Sequence, residues 1–557
     1  MRSLNTLKKH RAFFILIAMA ATLFLSDIWV YREFVRAESY FALGARSMVE
    51  RAEWLTPHAP DELQLNKPPL TYWLIGLSYK LFGASYGTAR LPSVLAALLV
   101  LAIVYGLGSW LNGIRAGLIS AAILASSYLF FSFARMAMSD MLLTFCVTTA
   151  LTCFLAALAG RTPRSQRLVF VAYAAVALGV LTKGPVALAM VAVPIGLELL
   201  SRRDRASVKR LRLVSGLGIL LLVAAPYFLM VYFRAGSSPL KFFFLSENLQ
   251  RFTGQIYAGG SRPFWYEIAA FFIDFAPWSV LIFLAAWVDW RRWQAENSGE
   301  GKRILYFWLL WVVALFTLAS FKRDYYLLPA MPAAALIIGP LLARPESLPI
   351  FGRRFLQAFL IVCSAVLVIA SLLSLQAAVV LSVQPSLRFL PLAVALLGAA
   401  AVVIWVMKGK TWQASLTLLT TIGATVLSLQ LSLLPAFVRY LPTAQLAAKI
   451  PVGRAVYTSR AADEWTSSLA FNLPPPHAVE RISGDLDDTN GNSQKLLAAL
   501  SDHSQVVAVV WEREYEGLVK KDPGLRILAE VETYGHGGLS LNLIRNPQRQ
   551  RLLLVGH

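Results

Sequence analysis

The sequence predicts an α-helical polytopic membrane protein, with about thirteen transmembrane helices and a small C-terminal α/β domain. Three observations predict it. The 557 residues are 57% hydrophobic, with a mean hydropathy of +0.59, too apolar for a soluble chain of ordinary surface. Apolar runs of roughly 20 residues, the length that crosses a bilayer, recur until residue 434 and then stop. The net charge of +21 is spread over the ends of these runs. It forms no single patch interleaved with exposed aromatics, which argues against nucleic acid as a partner.

The expected spans are 12–31, 84–111, 115–133, 141–159, 167–182, 185–200, 211–233, 264–288, 304–320, 326–342, 355–381, 388–407 and 412–434. Lys8-Lys9-His10-Arg11 precedes the first run, which continues to Trp29 without a clear cleavage site, so an uncleaved anchor is expected. Residues 68–82 are too short and polar to span and read as a re-entrant or juxtamembrane helix. Cys146, Cys153 and Cys363 all fall in apolar segments, the first two separated by roughly 10 Å of helical rise, so neither a disulfide nor a metal cluster is expected.

Basic residues concentrate in alternate loops, among them Arg161/Arg164/Arg167, Arg202/Arg203/Arg205, Arg291/Arg292 and Lys408/Lys410. The positive-inside bias places these in the cytoplasm. The loops 32–83, 134–140, 183–184, 234–263 and 321–325, together with the tail, then face outward. The chain accordingly divides into a membrane domain, 1–435, with juxtamembrane segments near 33–83 and 234–263, and an outward α/β domain, 436–557. In the tail, Arg454–Thr458 and Val506–Trp511 read as buried strands, Leu496–Leu500 as part of a helix, and Leu525–Thr533 with Leu539–Arg545 as a hairpin around Gly535–Gly538. Pro474–Pro476 and Asp485–Asn492 read as loops.

The outward loops carry charges at helix ends, and such charges need partners. Arg36 to Glu53 alternates charged residues with Tyr40, Phe41, Leu43, Met48 and Val49, the pattern of an interfacial amphipathic helix. Lys67 precedes Pro68-Pro69, which fix the backbone and offer no amide donors. Its ammonium fits either a snorkelling helix start or a ligand for a lipid phosphate. Arg135-Met-Ala-Met-Ser-Asp140 ends in a carboxylate that starts an apolar helix, where capping alone is one sufficient role. Thr182-Lys183-Gly184-Pro185, Glu247–Phe252 and Lys322-Arg323-Asp324-Tyr325-Tyr326 complete the set.

Together these segments resemble the membrane glycosyltransferases that use polyprenyl-phosphate sugars, with a GT-C fold. The nearest members are the aminoarabinose transferases of lipid A, and the protein O-mannosyltransferases follow closely. The motifs are Glu38-Ser-Tyr40, Lys67-Pro68-Pro69, Asp140, Leu181–Pro185, Gln250-Arg251-Phe252, and Lys322 with Tyr326 and Pro329. Each is short, but their order and shared outward placement span nearly the whole chain.

The resemblance implies an undecaprenyl-phosphate-linked 4-amino-4-deoxy-L-arabinose donor and a lipid A phosphate acceptor. It also implies a bacterial inner-membrane location with a periplasmic active site, a monomer, and no cofactor or metal beyond the lipid-linked donor. It assigns Glu38 and Asp140 as catalytic carboxylates and Lys67, Arg251 and Tyr326 to the lipid phosphate. Tyr40, Arg135, Lys183, Lys322, Arg323 and Tyr325 are further donor or acceptor contacts. One position departs from the family: Ala37 stands where an aspartate is usual. Either the natural protein does without that carboxylate, or Ala37 is an engineered replacement. A transporter of an anionic substrate is the competing class, but it calls for charges near the bilayer midplane. Here the mid-span positions are almost entirely apolar.

Overall fold

The computed structural model describes residues 2–26, 28–29, 33–58, 67–160, 163–255, 262–296, 302–451, 453–459, 463–473, 479–481, 489–502, 506–534 and 549–557. Helix occupies every expected span. Among the described residues eight helices are long and apolar enough to cross a membrane, or up to ten if each of two bent pairs counts as one span. His10–Leu25 and Arg303–Leu318 are shorter apolar helices.

The bends have local causes. The expected span 115–133 is Ile114–Ser126 followed by Tyr128–Ala134, turned by 72° at Ser127, whose backbone is extended. The expected span 264–288 breaks between Tyr266–Asp274 and the helix that follows, a turn of 114° at a segment containing Pro277. Proline has no N–H to continue the ladder. The first helix, Arg2–Leu25, ends six residues before its expected limit at 31.

Burial sorts the helices. The span Tyr325–Ala343 is 89% buried and Ser139–Ala159 is 72% buried, whereas Ile350–Val380 and Pro385–Met407 are 22% and 17% buried. The first pair form the centre and the second pair present apolar side chains to lipid, as expected where the surroundings are as apolar as the core. Tyr86–Asn112 turns at Gly113 into Ile114–Ser126, and the two helices pack backbone to backbone. A Cβ on Gly117 would lie 2.4 Å from the Tyr105 carbonyl oxygen, and one on Gly108 would lie 2.8 Å from the Gly117 Cα.

At one end of the bundle lies the amphipathic helix Arg36–Glu50. Phe41, Ala42, Ala45 and Met48 recur at helical spacing and pack on Tyr72, Ile75 and Tyr79 of the short helix Leu70–Phe82. Arg46 and Glu50, one turn apart on the outer face, pair at 2.7 Å.

Among the described residues the tail forms a mixed sheet of five strands, β1 (Ala455–Thr458), β2 (Val479–Arg481), β3 (Val506–Trp511), β4 (Arg526–Thr533) and β5 (Gln550–Gly556), in the order β2-β1-β3-β5-β4. β1 runs parallel to β2 and β3, and β5 is antiparallel to β3 and β4. Every residue of β3 is buried, because Val507, Val509 and Trp511 face one apolar cluster while Val506, Ala508 and Val510 face the other. Helices cover both faces, which is why the strand reads as a continuous apolar run. β4 pairs with β5; Leu539–Arg545, Gly535–Gly538 and Pro474–Pro476 lie outside the described residues. The expected loop at 485–492 is helical from Thr489, in Thr489–Asp502. The last span runs to Val438, four residues past its expected limit at 434.

The sheet domain sits on the amphipathic helix. Arg46 donates from Nη1 to the carbonyl oxygens of Phe471 (2.8 Å) and Leu473 (3.3 Å), and Ser468 donates to the Phe34 carbonyl at 3.0 Å. The Phe471 ring lies 4.9 Å from Phe34 and 5.2 Å from Tyr86.

Candidate active site

The outward motifs of the sequence converge at the end of the bundle that carries the amphipathic helix. Their charges form three groups. The first is a buried pair. Arg90, near the start of Tyr86–Asn112, donates from Nε to Glu38 Oε1 at 2.8 Å and from Nη2 to Oε2 at 3.2 Å. The Ala137 amide donates to Oε1 at 3.0 Å and the Val35 amide to Oε2 at 3.2 Å. Glu38 thus accepts four hydrogen bonds and ties together residues 33–38, the span and the 135–138 turn. It is fully buried and Arg90 nearly so. Ala37 precedes it, partly buried against the main core.

The second group joins Asp140 and Lys183. Asp140 lies in the first turn of Ser139–Ala159 and Lys183 ends Pro163–Lys183; Lys183 Nζ donates to Asp140 Oδ1 at 2.5 Å. The same ammonium sits 4.5 Å from the Tyr326 ring centre and 5.7 Å from that of Tyr325. Gly184 follows with φ +86°, and a Cβ there would meet the Phe243 ring at 2.6 Å. Glycine is required by both the turn and the close approach.

The third group is built on one carboxylate. Lys67 Nζ donates to Glu247 Oε2 at 2.9 Å, and Arg251 Nη1 donates to the same oxygen at 3.0 Å. Glu247 lies on a π-helical segment, Phe242–Gln250, that leads directly into Arg251–Thr253. Such wide turns are frequent at functional sites. The Arg251 guanidinium rests 4.1 Å from the Phe321 ring centre, with that of Arg323 at 5.1 Å. Burial pushes the Lys67 ammonium below its usual pKa; Glu247 opposes this, while Arg251 and Lys183 add to it. Beside Lys67 a small pocket is walled by Pro68, Tyr227, Phe228, Val231, Leu240 and Phe243. A cation against an apolar wall suits an anionic headgroup with a hydrocarbon tail.

The remaining candidates separate. Tyr325 packs its ring 5.2 Å from Phe133 and 5.1 Å from Tyr326. Arg323 is exposed and borders the third group. Arg135 stacks 4.0 Å over Phe131, and Tyr40 lies among Phe41 and Tyr72. Lys322 folds back onto the preceding helix. It is 4% exposed and donates to the carbonyl oxygens of Thr317 (2.6 Å), Ala319 (2.7 Å) and Phe316 (3.3 Å), closing the C-terminus of Arg303–Leu318.

Sequence reasoning gave no role to Arg90 or Glu247. A lone arginine at the outward end of an apolar span calls for a buried anion, and Glu247 stands one turn before Arg251; both signals were present in the sequence.

This arrangement has counterparts. The family model described as dolichyl-phosphate-mannose-protein mannosyltransferase matches residues 66–229, which include Lys67, Asp140 and Lys183. The solved structure of ArnT from Cupriavidus metallidurans bound to undecaprenyl phosphate superposes with a TM-score of 0.73 at 19% identity, covering 97% of this chain and 98% of that one. The chain shares the fold of that structure and is similar in sequence to aminoarabinose transferases. The undecaprenyl phosphate-alpha-4-amino-4-deoxy-L-arabinose arabinosyl transferase 2 of Proteus mirabilis is 29% identical over 312 residues, 54% of each chain. The corresponding transferase of Pseudomonas aeruginosa strain LESB58 is 31% identical over 307 residues, again 54% of each. The chain thus spans about half the length of the curated relatives it matches.

Proposed function

We propose that this GT-C protein transfers a sugar from a polyprenyl phosphate carrier, with 4-amino-4-deoxy-L-arabinose as the sugar and a lipid A phosphate as the acceptor. One observation carries the reading: Lys67 and Arg251, from distant parts of the chain, aim their donors at a single oxyanion position beside an apolar pocket. The relatives named for undecaprenyl phosphate arabinosyl transfer support the donor class.

The chemistry follows from the acceptor. A phosphate monoester is already anionic near neutral pH and attacks the anomeric carbon without a general base. The new bond joins that carbon to an acceptor phosphate oxygen as the bond to the carrier phosphate breaks. The larger demand is then to hold the charge of the departing carrier phosphate. Fixed cations in a partly dry site do this well, and Arg251 adds a forked donor to the point charge of Lys67. Tyr326 is a neighbouring hydroxyl donor for the same phosphate, and Arg323 with Lys183 draws in the acceptor. Asp140 and Glu38 help to orient the site.

In this reading the protein lies in a bacterial inner membrane as a monomer, with the site and the sheet domain in the periplasm. Mass spectrometry of lipid A from cells with and without the protein tests it. An added aminopentose mass is expected. Unmodified lipid A with altered glycoproteins would move the acceptor to protein, as in the O-mannosyltransferases.

A further inference from the structure

We propose that Glu247 is a resident counter-ion: it holds the place of the carrier phosphate between Lys67 and Arg251 in the free protein and returns to that place when the spent carrier leaves. The inference rests on the lipid-phosphate reading above and adds a release step to it. Three observations carry it.

The first is geometric. Two donors 184 positions apart, Lys67 Nζ at 2.9 Å and Arg251 Nη1 at 3.0 Å, converge on one atom, Glu247 Oε2. A phosphate oxygen binding these cations has to use the same two directions. Glu247 and the phosphate therefore compete for one pair of donors, and both cannot hold the full set.

The second is exposure. The Glu247 side chain is 3% exposed, whereas those of Lys67 and Arg251 are 25% and 21% exposed. The cations are open to an incoming headgroup, and the carboxylate behind them is not. The competitor is tethered at high effective concentration and is always present.

The third is charge. With Asp140 and Lys183 paired, Lys67 and Arg251 against Glu247 leave one net positive charge among these three groups, and Arg323 at their border adds to it. The donor is a phosphodiester with one negative charge. The spent carrier is a monoester whose charge approaches two negatives at neutral pH, since its second pKa is about 6. Without a counter-ion the cations hold the product more tightly than the donor, and turnover stalls on release. A carboxylate that reclaims both cations offsets this extra attraction.

The test uses the full-length protein in detergent micelles, with undecaprenyl phosphate as the probe. Glu247→Gln keeps the shape and removes the charge. The expected result is undecaprenyl phosphate binding about 5- to 100-fold tighter, the range of ordinary coupling between competing sites, with kcat at saturating donor falling as release slows. Simple structural damage would weaken binding, so the sign of the change separates the two. Unchanged or weaker binding by folded Glu247→Gln protein overturns the inference. If that variant does not fold, Glu247→Asp, which keeps the charge but draws it back from the cations, serves instead: tighter binding is expected and unchanged binding overturns. Lys67→Gln separates the two layers. If it leaves undecaprenyl phosphate binding unchanged, the lipid-phosphate reading itself fails. If it weakens binding while neither Glu247 variant tightens it, only the counter-ion inference fails.

Discussion

The Glu38–Arg90 pair and the Lys67–Glu247–Arg251 cluster lie at the same end of the bundle and differ in the room each leaves for a ligand. Glu38 and Arg90 expose 0% and 1% of their side chains, and the carboxylate accepts four hydrogen bonds. Lys67 and Arg251 share one carboxylate oxygen and stay about a quarter exposed. A fully satisfied buried pair fixes geometry and does little else, because any change of partner costs desolvation that nothing repays. A pair of cations about a quarter exposed and converging on one oxygen position can be reached by an anion. On the function proposed above, the first assembly is frame and the second is site.

Breaking the frame should produce the largest effect. Glu38→Ala strands the Arg90 guanidinium in the dry interior, so the protein should lose about 3–5 kcal/mol of stability. Thermal melting in detergent should show this even in ligand-free protein. A melting curve like that of the unmodified protein would remove the frame assignment.

The site should respond in the opposite way. Lys67→Glu should leave melting close to unchanged while transfer falls about a thousandfold, because a carboxylate then faces the departing phosphate. Normal transfer in that variant would sink the leaving-group assignment. Loss of folding with proportional loss of transfer would instead place Lys67 with the frame.

Much of this contrast could be read from the sequence, and the part that could not has a physical reason. Apolar runs reveal spans because backbone satisfaction in lipid permits little else, and Lys67, Asp140, Lys183 and Arg251 stand out because charges at apolar helix ends demand partners. Which charges pair is a question of three-dimensional proximity. Lys67 and Glu247 are 180 residues apart, and Glu38 and Arg90 are 52 apart. Sequence pattern carries no distance over such separations. Lys322 is ambiguous for a related reason: a lysine after an apolar helix looks the same in sequence whether it reaches outward or folds back onto carbonyl oxygens, as it does here. The breaks at Ser127 and near Pro277 were missed because the apolar run continues straight through them.

A third carboxylate beside the frame sharpens the comparison. Glu33 is 9% exposed, and its Oε1 accepts the Thr443 amide at 2.7 Å. Arg90 gives its guanidinium to Glu38 and reaches only the Glu33 carbonyl oxygen, at 3.4 Å. Burial, opposed by the Thr443 hydrogen bonds, pushes the Glu33 carboxyl up from 4.5 to about 7. The folded protein thus binds a proton that the unfolded chain releases between these values. Its contribution to stability is complete below about pH 4.5 and is lost as the pH rises through about 7. The loss should be no more than about 3 kcal/mol, and it should appear where Thr443 joins the sheet domain to the membrane domain. Glu33→Gln should flatten the dependence of melting on pH across this window. An unchanged slope would mean that Glu33 does not titrate there.

The smallest effect is expected at Ala37, which flanks the frame and is partly buried against the core. Ala37→Asp introduces a carboxylate one residue before Glu38, where a general base would matter only to an acceptor that must lose a proton. A phosphate acceptor is already anionic, so transfer to lipid A phosphate should change by less than about threefold. A protein hydroxyl acceptor would instead gain about a hundredfold, the usual contribution of a positioned base. Measuring both acceptors with the same Ala37→Asp preparation tests whether the site works without that carboxylate because its acceptor carries its own charge.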